Sequence, residues 1–269
     1  MFTWENVAAK KDKELPPNLI REFFTDEQLK TLFYHALRVD IPNNNDKAEM
    51  IKHYLPSNQF DELGTGTNRM AFLHNGFVVK IAMDRRGLVD SFTETKRSIE
   101  LPRILAKTYE CNMIVQIQQY VNIIDQSQFM ENEFVIKNIL SQLSENYLFE
   151  DLGFTLKNCY NWGFVESDEH EGEMELRILD YGYLYPLYMQ NKAELFRCPK
   201  CNATLKWNSN FTEFQCANSQ CGLKVPPWRI KQKMKTDFED LENRMISDLS
   251  SFTMPNFRDI EAKISGLKL

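Results

Sequence analysis

The sequence predicts an α+β protein carrying a metal-binding insert. Strand-like and helix-like stretches alternate between residues 60 and 180, four cysteines cluster between 198 and 221, and apolar residues recur at helical spacing on both flanks. With 43% hydrophobic and 26% charged residues, the 269-residue chain can build one large domain or two small ones. Only 10 Gly and 10 Pro exclude a collagen-like or low-complexity architecture. A net charge of −6 argues against a globally basic nucleic-acid binder. No apolar run reaches the ~18 residues that a membrane span needs. The first 17 residues carry charges where a secretory leader needs an apolar core, so a cytoplasmic protein without a membrane partner is expected.

Residues 1–58 predict a helical N-terminal extension. Thr25-Asp26-Glu27-Gln28 has the form of a capping box, and Leu29, Leu32, Phe33 and Leu37 follow at helical spacing. Pro42 and the Asn43-Asn44-Asn45 run break that helix; Asp46 starts another, carrying Met50, Ile51 and Tyr54. Within 59–122, residues 60–63 and 69–74 predict short strands, and Asn75-Gly76 is a two-residue hairpin signal. The β-branched run 77–82 predicts a buried strand, 90–108 a helix interrupted near Pro102, and 113–121 another strand. In 123–192 the helical spacing of Phe129, Phe134, Ile139, Leu140 and Leu143 covers 126–147. Strands at 159–165 and 176–179 follow, with an acidic loop between them. Residues 193–227 hold the cysteines, and 228–269 predict two C-terminal helices, 233–249 and 258–267, parted by Pro255.

Four places along this framework offer chemistry. Gly64 and Gly66, in Gly64-Thr65-Gly66-Thr67-Asn68-Arg69, would let backbone amides approach a phosphate; a plain glycine hairpin explains the same residues. Neither a Walker A loop nor the G-x-G-x-x-G dinucleotide fingerprint is present. Lys80, flanked by Val78, Val79, Ile81 and Ala82, needs an anionic partner if its ammonium is buried, or snorkels to water if the strand is at an edge. The run Leu176-Arg177-Ile178-Leu179-Asp180-Tyr181-Gly182 sets a carboxylate at the end of an apolar strand, which suits Mg²⁺, although a turn-starting Asp reads alike.

The cysteine pattern is the most specific. Cys198, Cys201, Cys216 and Cys221 form C-x2-C-x14-C-x4-C, resembling a zinc ribbon in which two knuckles bring four thiolates to one tetrahedral Zn²⁺. Reduced free thiols are the alternative. Four thiolate ligands leave no open position, so such a zinc is structural. Cys111 and Cys159 read as inert core residues, and the four scattered histidines support no triad. Lys200, Lys206, Lys224, Arg229, Lys231, Lys233 and Lys235 flank the ribbon beside Trp207 and Trp228, a composition open to nucleic-acid contact or to simple solvation.

Taken in order, the glycine loop, the hairpin, Val-Val-Lys in the next strand, an acid-bearing helix, a strand, a long helix, Asn161-Trp162-Gly163 and Leu179-Asp180-Tyr181-Gly182 resemble the atypical protein-kinase-like family. The resemblance spans residues 60–185 and extends to the aminoglycoside-phosphotransferase-like and phage-encoded members; a phage origin would place the protein in a host cytoplasm. It implies a bilobal kinase-like fold: an N-lobe at 59–122, a reduced C-lobe core at 123–192, the inserted zinc ribbon at 193–227 and helices at 228–269. It also implies ATP and magnesium as ligands. Gly64 and Gly66 would cover the nucleotide phosphates, Lys80 would contact them, and Glu94, with Glu100 second, would pair with that lysine. The segment 118–121, with Gln119 and Val121, would sit beside the adenine, while Asn161 and Asp180 would hold magnesium. The family places a catalytic Asp five residues before the metal-binding Asn, where this chain has Leu156. Asp151 is the nearest replacement, ten residues before Asn161; without it a general-base contribution of ~10²–10⁴ is lost. Two readings remain open: a phosphotransferase acting on a protein or small molecule, and a pseudokinase scaffold that binds a protein or nucleic-acid partner through the ribbon.

Overall fold

The computed structural model describes residues 18–37, 43–55, 59–149, 155, 157–167, 170, 172–181, 184–188 and 190–234. Asp151, Leu156 and nearly all of the expected C-terminal helices lie outside the described residues. The protein is a mixed α+β structure with several antiparallel sheets. Its described residues divide into two compact units, one holding everything up to Tyr120 with the segment Glu166–Glu173, the other Val121–Val165 with the described residues from Met174 onward.

The first unit is built on a five-stranded sheet, β1 (Asp61–Thr65), β2 (Arg69–His74), β3 (Phe77–Ala82), β4 (Thr108–Cys111) and β5 (Val115–Gln119), in the order β1-β2-β3-β5-β4. All its pairs are antiparallel. Asn75 (φ 49°) and Gly76 (φ 81°) both take the left-handed region that the two-residue β2–β3 hairpin requires. Strand alternation then sorts side chains between two faces. Phe72, Phe77, Val79 and Ile81 enter a core shared with α1 (Leu19–Phe23), α2 (Asp26–Leu37) and α3 (Asn44–Tyr54). The N-terminal helices therefore close one side of this sheet, and Ile20 N–H donates to Glu110 at 3.0 Å. The capping box at Thr25 forms: Gln28 N–H donates to Thr25 Oγ1 and Thr25 N–H to Gln28 Oε1.

Helix α4 (Arg85–Glu100) differs from the 90–108 expectation. It starts five residues earlier because Asp84 caps it, accepting from Gly87 N–H at 2.9 Å, and it ends before Pro102. Its buried face is unusually polar, with Asp90, Ser91, Thr93, Glu94, Arg97 and Ser98 all enclosed. Asn43, expected as part of a helix break, instead caps α3 by accepting from Asp46 N–H.

In the second unit, β6 (Asn122–Ile123), β8 (Trp162–Glu166) and β9 (Met174–Ile178) form one sheet, and β7 (Tyr147–Phe149) pairs with β10 (Leu184–Pro186). The expected single helix over 126–147 is two, α5 (Gln126–Glu131) and α6 (Glu133–Asn146), parted at Asn132; α6 buries only the stripe Ile136, Leu140, Leu143. Gly163 is required where β6 meets β8: a Cβ there would stand 2.5 Å from Val121 Cγ1 and 2.6 Å from Asn122 O. After α7 (Lys192–Leu195), the cysteine segment folds as the small sheet β11 (Leu205–Trp207), β12 (Phe214–Cys216), β13 (Lys224–Val225), and α8 (Pro227–Lys231) follows. Trp207 faces Phe214 across the strands with ring centroids 3.9 Å apart.

Candidate functional sites

Two clusters carry chemistry, one in each unit. In the first, register puts Arg69, Ala71, Lys80 and Gln116 on the sheet face opposite the apolar core. Lys80 Nζ lies 2.9 Å from Glu94 Oε2 on α4, and Arg69 Nη2 lies 2.5 Å from Oε1 of the same carboxylate. Arg69 also donates to Gln116 Oε1 at 3.2 Å, and Gln116 Nε2 donates to Thr108 Oγ1. Glu94 is fully enclosed. Burial alone would push its carboxyl up, but the Arg69 and Lys80 charges and their hydrogen bonds outweigh that and hold it at about 2. Glu100, the second-choice partner for Lys80, pairs instead with Arg97 at 2.5 Å.

Gly64 stands in β1 opposite Ala71, just after a register shift, with open space around the position of a Cβ. Gly66 N–H donates to Arg69 O at 2.8 Å, so this amide closes the turn. Gln119 N–H donates to Lys107 O, and Val121, in the second unit, is buried against Gly163. Also in the second unit, Leu179 N–H donates to Asn161 O at 2.9 Å, fixing the backbones on either side of Asn161 and Asp180. Asp180 is exposed, Asn161 half-buried, and the tyrosine after Asp180 wholly buried.

Sequence patterning does not single out Arg69 or Gly87. A signal for Arg69 exists: it sits three residues after Gly66, where a G-x-G-x-x-G loop has its third glycine. For Gly87 there was none, because its role is a tertiary approach. A Cβ there would overlap the Asn68 carbonyl oxygen and stand 3.2 Å from Ala82.

The second cluster is the cysteine set. The sulfurs of Cys198, Cys201, Cys216 and Cys221 lie within 4.8 Å of one another. Cys198 and Cys221 are 3.7 Å apart, Cys201 and Cys216 3.4 Å, far beyond a disulfide bond. A tetrahedron with Zn–S near ~2.3 Å has edges of ~3.8 Å, so the four sulfurs are compatible with a structural zinc site. Each pair is followed by a residue with a left-handed backbone, Asn202 (φ 61°) and Gly222 (φ 63°), which turns the two knuckles toward each other. Cys221-Gly222 was legible as a tight turn; Asn202 plays the equivalent part without glycine. Around the protein sulfurs alone, burial opposes ionisation of Cys198, yet the Lys200 and Cys201 amides bring its thiol down to about 7. Burial and the neighbouring sulfurs push Cys216 up to about 12. Outside the cluster, desolvation pushes the thiol of Cys111, a half-buried residue of β4, up.

No protein-family model and no curated protein matches this chain. The functional reading therefore rests on the chemistry of the two clusters. No described helix is long and apolar enough to cross a membrane.

Proposed function

We propose that this is an atypical kinase-like protein that binds ATP with magnesium and transfers a phosphoryl group to a protein or small molecule. The observation that carries the reading is the Lys80–Glu94 pair: a lysine on the third strand of a sheet, 2.9 Å from a glutamate on the helix that follows. Kinases depend on such a strand-lysine and helix-glutamate pair to place the nucleotide phosphates. The glycine turn precedes it by one strand. Asn161 and Asp180, whose neighbourhood is tied by the Leu179–Asn161 hydrogen bond, offer two oxygen ligands to a hard cation. The cysteine cluster holds zinc as a structural element, because four thiolates complete its coordination.

A scaffold without transfer activity is the second reading, favoured by Leu156 where the family has its catalytic Asp. Both readings share the nucleotide site, so it is tested first. Thermal unfolding is measured with and without Mg-ATP at constant zinc, for the wild type and Lys80→Ala. Nucleotide at 100 times its Kd adds ~2.7 kcal/mol, an upward shift of roughly 5–10 °C for a domain of this size. A shift confined to the wild type supports the site; no shift at saturating nucleotide overturns it. Release or transfer of the γ-phosphate, abolished by Lys80→Ala, then separates enzyme from scaffold.

A further inference from the structure

Helix α4 is fastened to the glycine turn at more points than a lysine–glutamate pair requires. Asn68 Nδ2 donates to Asp90 on α4 at 2.9 Å, and Asn68 O accepts at 2.8 Å from the N–H of Met83, the residue before the Asp84 cap. Arg69 holds Glu94 at 2.5 Å and reaches Gln116 on β5 at 3.2 Å. Gly87, in the first turn of α4, lacks the side chain that would collide with the Asn68 carbonyl. Turn, helix and sheet thus meet at one carboxylate, each of whose oxygens is held by a different cation. The Glu94 side chain is sealed from water, while those of Arg69 and Lys80 keep 12% and 11% of their surface.

We propose that Arg69 is a positioning residue that holds Glu94 in place before any ligand arrives and frees Lys80 to bind a nucleotide phosphate. The first half stands on the geometry; the second rests on the ATP-binding reading above. A buried carboxylate with a single counter-cation competes with an incoming phosphate for that cation, since losing it leaves a charge unpaired in the interior. Here Arg69 keeps Glu94 compensated while Lys80 turns toward the ligand. Its guanidinium is charged at every accessible pH and forked, so it satisfies Glu94 and Gln116 together. Placing arginine where the third glycine of such a loop would stand ties the end of the turn to α4, so the pair is assembled without a separate movement of the helix.

Two measurements test this on the full chain. The first is ligand-free: urea unfolding of wild type, Arg69→Ala, Lys80→Ala and the double variant. Either cation alone still covers Glu94, so the double variant should lose more than the sum of the single losses. If it does not fold, adding Glu94→Gln should restore folding by removing the unpaired charge. Additive losses, or no rescue by Glu94→Gln, overturn the positioning role. The second measurement is Mg-ATP affinity by calorimetry. Arg69→Ala should weaken it at least tenfold, with partial recovery in Arg69→Lys. Unchanged affinity in a folded Arg69→Ala variant overturns the proposed freeing of Lys80. Super-additive losses among the variants, together with a wild type that binds no Mg-ATP, would sink the nucleotide reading and leave the positioning of Glu94 supported.

Discussion

Replacing one ligand of the cysteine cluster is a perturbation whose consequence the geometry largely sets. With all four sulfurs within 4.8 Å of one another and two pairs at 3.7 and 3.4 Å, against the ~3.8 Å edge of a zinc–sulfur tetrahedron, the ligands need only a modest rearrangement to close on the ion. Little of the binding energy is spent on rearrangement, so the apparent affinity should fall within the ~10–16 kcal/mol seen for structural zinc, a Kd of roughly 10⁻⁷–10⁻¹² M. Cys216→Ser exchanges a thiolate for a weakly ligating hydroxyl and should cost several orders of magnitude in Kd. Binding should also weaken as pH falls, because Cys216, pushed up to about 12, must release its proton to the incoming ion. The assay is metal content together with Co²⁺ titration, in which a four-thiolate tetrahedral site gives intense visible bands. The Trp207–Phe214 stack, 3.9 Å between centroids, supplies an independent near-UV signal for the ribbon. Cys111→Ser is the control, since Cys111 belongs to β4 of the other unit. Less than one zinc per chain in the wild type, weak octahedral cobalt bands, or equal metal loss in Cys111→Ser would refute the assignment.

Three further expectations follow from the first unit. Gly87→Ala should destabilise by roughly 1–3 kcal/mol through overpacking against the Asn68 carbonyl, read as a lower urea midpoint with an unchanged slope. Gly64→Ala meets nothing within 4 Å and should leave stability unchanged or slightly higher; weakened Mg-ATP binding in that folded variant would distinguish a phosphate loop from a plain hairpin. Because Glu94 is held at about 2, folding favours its ionised form. Its contribution of roughly 3 kcal/mol is complete above the ordinary Glu range and disappears as pH falls toward 2. The stability gap between wild type and Glu94→Gln should therefore narrow by that amount between pH 6 and 2, and a constant gap would contradict the pairing.

Local signals survived into the structure where the chemistry is local. The Asn75-Gly76 turn, the Thr25 capping box and the two cysteine knuckles are each written within a few residues, and each forms. The start of α4 was missed because its first turn, Arg85-Arg86-Gly87, carries little apolar periodicity; the Asp84 cap supplies the start. The same polarity hides the site. Glu94 could be singled out as the partner of Lys80 only by resemblance, since its burial depends on the phase of α4 against the sheet. For Arg69 sequence spacing offers only its place at the third-glycine position of the loop; strand register is what turns it toward Glu94. Asn202 is hidden in the sequence because its left-handed backbone has no glycine to announce it.

The β1 edge of the five-stranded sheet has a bearing on how the protein meets other chains. All five residues of β1 are exposed, its register slips between Glu62 and Gly64, and Glu62 is held by Lys52 at 2.9 Å and by the Thr65 hydroxyl at 3.0 Å. A flat apolar strand in that position would offer a row of amides and carbonyls to another chain. The slip and the anchored carboxylate spoil that template, so the glycine turn remains accessible to a small ligand while a second protein strand finds no continuous ladder. Flattening and greasing the edge, as Glu62→Val with Gly64→Val would do, should convert it into a nucleation point for intermolecular strand addition.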